Sequence, residues 1–115
     1  MKNDKIPETK KELEALRFSG KPLFGLGQVV ATPAALKLLE SQQLNPATYL
    51  RFHQHGAWGQ LEASDRDSND AAVLGGGRIL SAYSIKGSER IYVITEAVND
   101  DGVRASTCLL LPEEY

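Results

Sequence analysis

At 115 residues, with 42% hydrophobic and 24% charged side chains, the chain has room for one packed domain, which excludes global disorder and a multidomain machine. A formal net charge of −2 excludes a general duplex binder, because each neutralised phosphate needs a Lys or Arg. The single cysteine, Cys108, excludes an internal disulfide and a cysteine-built zinc knuckle, and its apolar neighbours suit a buried, inert thiol. No apolar run approaches the ~20 residues of a membrane-spanning helix. The charged opening Met1-Lys2-Asn3-Asp4-Lys5 is unlike a secretory signal and points to the cytoplasm of a bacterial-type cell.

Residues 1–8 are polar and expected to be flexible, ahead of a single α+β domain over residues 9–115. Thr9 to Glu12 reads as a capping box, and Leu13 and Leu16 one turn apart predict a short helix ending near Phe18. Ser19-Gly20-Lys21-Pro22 breaks it, and Gln28-Val29-Val30-Ala31 has the β-branched content of a short strand. Thr32-Pro33 and Asn45-Pro46 are two helix starts of one chemistry, each a capping side chain before a proline that needs no amide partner. The first helix turns Ala35, Leu36 and Leu39 to one face. The second carries Tyr49, Leu50, Phe52 and His53 and stops at Gly56, so the two fold back as a helical hairpin. A third start falls at Ser64 with Asp67 three residues on. Ala71, Ala72 and Leu74 form its apolar side before Gly75-Gly76-Gly77.

The period then changes from helical to alternating. Arg78–Ile85 sends Ile79, Ser81, Tyr83 and Ile85 to one side and Leu80, Ala82 and Ser84 to the other. After a turn at Lys86-Gly87-Ser88, residues 90–98 set Ile91, Val93 and Thr95 against Tyr92, Ile94 and Glu96. Asn99-Asp100-Asp101-Gly102 is the strongest turn signal, and 103–111 completes a meander. The expected fold is therefore α+β, with N-terminal helices packed on a C-terminal antiparallel sheet of three strands, or four if 28–31 joins it.

Familiar catalytic signatures are missing. Gly25-x-Gly27 is too short for a dinucleotide fingerprint, and Gly75-Gly76-Gly77 precedes a strand where a phosphate loop would open a helix. His53 and His55 at i and i+2 point to different helix faces, which suits one metal poorly, and no third ligand stands at a recognisable spacing. No metal and no cofactor are expected. His55, beside Gly56, suits either the negative end of the helix dipole or a neutral-pH acid or base. Trp58, the one tryptophan, is either a lid on the core or an interface anchor. Arg78, Tyr83, Glu96 and Thr107 fall on adjacent strands of the meander. With His55 they make a conceivable acid–base set for RNA cleavage, weighed against a solvated sheet face.

From about Leu50 onward several motifs occur in a fixed order. They are Arg51-x-His53-x-His55-Gly56-x-Trp58-Gly59, Asp67 with Asn69, Ala71 and Ala72, Gly77-Arg78-Ile79-Leu80-Ser81-x-Tyr83, Ile94-Thr95-Glu96-Ala97, and Thr107-x-Leu109 through Tyr115. In these the chain resembles a family of short proteins carried on bacterial plasmids and integrated elements, described as hypothetical or plasmid-related and sometimes as type I restriction subunits. The resemblance implies a mobile-element setting and brings no assigned activity. The family usually has Asp between the Gly and Trp, where this chain has Ala57, and an Asp-Arg pair after the Thr-Glu-Ala segment, where it has Val98-Asn99. The leading expectation is a modulatory module that binds protein, with His53, Trp58 and Asn69 as binding residues, and not an enzyme. The alternative, by analogy of fold, is a small metal-independent endoribonuclease of the RelE or barnase-like type. It would use His55, Glu96, Arg78, Tyr83 and Thr107, with RNA as its substrate.

Overall fold

The computed structural model describes Arg17 and residues 19–115. The flexible stretch expected at residues 1–8, the capping box at Thr9 and all but Arg17 of the helix expected to end near Phe18 lie outside the described residues. Strand β1 (Gln28–Ala31) leads into helices α1 (Pro33–Ser41), α2 (Pro46–Gln54) and α3 (Ala63–Gly75). Strands β2 (Ile79–Lys86), β3 (Glu89–Thr95) and β4 (Ser106–Leu110) follow, with a 3-10 turn at Pro112–Glu114.

Both proline-led helix starts form as their chemistry dictates. The Thr32 hydroxyl accepts from the Ala35 amide at 3.1 Å, and Asn45 Oδ1 accepts from the Ala47 amide at 2.9 Å. Each satisfies an amide that the first turn leaves unpaired. The third start is corrected. Glu62 is the capping residue, its carbonyl accepting from Asp65 and Arg66 at 3.0 Å, and Ser64 lies inside the helix. This helix buries Asn69, Ala72 and Val73, while Ala71 faces out.

The sheet runs β1-β4-β3-β2. Residues 79–110 form the expected antiparallel meander, with Ser81 opposite Val93 and Thr95 opposite Thr107. The expectation of a wholly antiparallel sheet is corrected, because β1 pairs with β4 in parallel, Val29 opposite Thr107 and Ala31 opposite Leu109. The long connection from β1 to β4, through three helices and strands β2 and β3, removes the constraint that makes neighbours in a tight hairpin antiparallel. The architecture is α+β with a four-stranded mixed sheet and its helices N-terminal to the meander.

The helices cover the sheet face that carries Ile79, Ser81 and Tyr83. Two apolar clusters fill that layer, one of Leu23, Trp58, Ala72, Val73 and Ile79, the other around Leu39, Tyr83, Ile91, Val93 and Leu109. Residues 58–60 then close the open edge of β2. The Ala82 amide donates to the Trp58 carbonyl at 3.0 Å, and the Gln60 amide donates to the Ala82 carbonyl at 2.7 Å. Asn69 extends the same edge, accepting from the Leu80 amide at 3.1 Å and donating to its carbonyl at 2.7 Å. Gly59 is required there: its φ is +81°, and a Cβ would run into the Ala82 carbonyl oxygen.

Candidate functional site

Between the two apolar clusters lies a row of polar side chains. His53 is completely buried, with Nδ1 2.6 Å from Ser81 Oγ and Nε2 2.9 Å from Thr95 Oγ1. Thr95 Oγ1 is 2.6 Å from Thr107 Oγ1, and the Thr107 hydroxyl donates to the Leu26 carbonyl at 2.8 Å. The last bond fixes the direction of all the others. A carbonyl only accepts, so Thr107 spends its one proton there and must accept from Thr95. Thr95 must in turn accept from His53, which places the ring proton on Nε2 and leaves Nδ1 to accept from Ser81. Burial, reinforced by the charge of Arg104, lowers the His53 pKa from 6.5 to about 3, so the imidazole is neutral.

Arg104 is a second buried polar centre, 9% exposed. Its Nη1 donates to the carbonyls of Gly77 at 2.6 Å and Glu96 at 3.0 Å, and its Nη2 to that of Ala72 at 3.0 Å. Burial lowers its pKa. Its guanidinium lies 5.6 Å from the Phe24 ring centroid. These bonds tie the end of α3 to the end of β3, and the side chain is thereby committed to the fold.

The surface above these centres opens into a cleft of about 640 Å³ where α2 ends, between the 56–59 segment and α3. Phe52, Trp58, Tyr83, Arg17, Arg66 and Asp70 line it. Trp58 forms the floor at 4% exposure, and its indole N–H donates to Asp70 Oδ1 at 3.1 Å. Arg17 Nη2 meets the same oxygen at 2.6 Å. Phe52 is 44% exposed, and its ring packs at 6.0 Å from both Tyr49 and Tyr83. The Tyr83 hydroxyl donates to the Ala57 carbonyl at 2.6 Å, and burial raises its pKa.

The structure separates the residues of the ribonuclease alternative. His55 caps the end of α2 on the helix side, with Nδ1 2.8 Å from the Arg51 carbonyl and Nε2 2.8 Å from the Gly20 carbonyl. Glu96 follows the inward-facing Thr95, so its side chain lies on the other face of the sheet, 3.7 Å from Arg78. Arg78 donates from Nη1 to the Tyr115 hydroxyl at 3.0 Å. Thr107 is fully buried in the polar row. His55 and Glu96 therefore do not flank one cleft. Of the expected binding residues, His53 and Asn69 are interior and bonded to the sheet, and Trp58 alone reaches the cleft. The expected inert thiol, Cys108, is half-buried and free, and burial raises its pKa.

Sequence reasoning missed Arg17, Phe52, Arg66 and Asp70. A usable signal existed only for Asp70, which stands one helical turn from Asp67, also at the cleft. No protein-family model matches the chain, and neither the curated proteins nor the solved structures yield a match. Among the described residues, no helix is long and apolar enough to cross a membrane.

Proposed function

We propose that this chain is a small protein-binding, modulatory module of a bacterial mobile element, acting in the cytoplasm and engaging its partner through the cleft between α2 and α3. The supporting observation is the meeting of one exposed aromatic ring, Phe52, with Trp58, Tyr83 and Arg66 around a single concavity. Aromatic and Arg side chains are the types that anchor protein interfaces, because they bring large rigid contact area and directional donors together. The cleft also carries both signs of charge, which favours orientation of a polypeptide over non-specific adhesion. Ala57 lines it too, at the position where the resembling family has Asp, so partner choice in this member rests on Asp67 and Asp70.

Partner capture with matched variants tests the reading. Phe52→Ala and Arg66→Ala, both at exposed side chains, should keep the fold and weaken retention of one specific protein by tenfold or more. Equal retention by wild type and both variants would remove the cleft from the account. The ribonuclease alternative lacks comparable support, since its proposed acid caps a helix on one side of the sheet and its proposed base lies on the other.

A further inference from the structure

Resting on the binding reading above, we infer that the seat between Trp58 and Asp70 is a recognition site for a guanidinium side chain of the partner, and that Arg17 occupies it in cis as an autoinhibitory contact. The seat has the two features that a planar cation needs. Asp70 supplies a carboxylate oxygen at 2.6 Å, oriented by the Trp58 indole N–H at 3.1 Å. Trp58 also supplies an aromatic face, with the Arg17 guanidinium carbon 5.9 Å from the ring centroid. Arg is favoured over Lys at such a place because its flat fork matches a carboxylate and stacks on a ring.

Arg17 fills the seat imperfectly. Its contact and the indole bond both fall on Oδ1, so it does not make the two-pronged pairing available to a guanidinium and a carboxylate. Its Nε is buried with no hydrogen-bond partner among the described residues. A donor left so is a reason for the residue to yield to a better-fitting competitor. The pair is also reachable, the side chains being 30% and 22% exposed at the edge of the cleft. The cleft beside it has room for the peptide that would carry the incoming group. A seat occupied in cis lowers apparent affinity by the fraction of time it is filled, so removing the occupant tightens binding without creating any contact.

The chain's one tryptophan sits in the seat, so its fluorescence reports occupancy directly. N-acetyl-L-arginine amide, with the lysine and glutamate amides as comparators, is titrated into wild type, Arg17→Ala and Asp70→Asn. Folding of each variant is checked by far-UV circular dichroism. Arg17→Ala should bind the arginine probe saturably and about tenfold tighter than wild type, with the lysine probe weaker. Asp70→Asn should lose the response. No saturable response in folded Arg17→Ala overturns the inference. Preference for the glutamate probe overturns it as well, while the broader reading would still stand or fall on capture through Phe52 and Arg66. If Arg17→Ala does not fold, the Trp58 indole N–H resonance of wild type decides under the same titration: a saturable shift supports the seat, and an unmoved resonance overturns it.

Discussion

Acidification should destabilise this protein through His53 more than through any surface group. The imidazole is neutral in the fold because burial and Arg104 lower its pKa to about 3, against 6.5 for an unconstrained ring. Between those values the unfolded chain binds a proton that the native chain refuses, so stability rises with pH across the window. It is complete above about 6.5 and is lost progressively as pH falls toward 3. At about 1.4 kcal/mol for each pH step, the full loss is on the order of 4–5 kcal/mol, a large share of a small domain's stability. Urea unfolding between pH 7 and 4, followed by Trp58 fluorescence, measures it in wild type and His53→Gln. The variant should be less stable at pH 7, because Ser81 and Thr95 lose a matched partner, yet its stability should depend less on pH. Parallel pH dependences in the two proteins would refute the buried neutral imidazole.

Three further outcomes follow from the same interior. Thr107→Val should cost about 1–3 kcal/mol in denaturant unfolding, since it strands the Thr95 hydroxyl and the Leu26 carbonyl in the core. Arg104→Met should cost about 2–4 kcal/mol by removing three hydrogen bonds to backbone carbonyls, and should raise the pKa of His53 as followed by NMR; an unshifted His53 would remove Arg104 from its electrostatics. Gly59→Ala should lower stability by about 2 kcal/mol or more in thermal unfolding and loosen the edge of β2, seen as faster amide exchange at Ala82.

The parts of this fold that depend on neighbouring residues were legible in the sequence. Thr32-Pro33 and Asn45-Pro46 start helices because the cap and the ring act within one turn. The alternation of Ile79, Ser81 and Tyr83 against Leu80, Ala82 and Ser84 separated the two faces of β2, because strand parity is local geometry. The parallel partner of β1 was not legible, since it depends on how three helices and the β2–β3 hairpin bring β4 back beside it. Hydropathy also misplaces the end of α2, where His53 is buried and Phe52 is half out in solvent. That inversion had a readable trace. Ser81, Thr95 and Thr107 all fall on the inward parity of their strands, and three hydroxyls there demand a buried polar partner. The cleft had no comparable trace, because Arg17, Trp58 and Asp70 come together only through tertiary packing.

The most direct test of the cleft as the working surface is site-specific photo-crosslinking in a bacterial host. A photoreactive phenylalanine analogue at Phe52 reports the cleft, and the same group at Tyr92 reports the opposite sheet face. Position 52 should give one discrete crosslinked partner, lost when Arg66→Ala is added, and position 92 none. The same partner captured from position 92 and not from 52, or a position-52 adduct indifferent to Arg66, would contradict it.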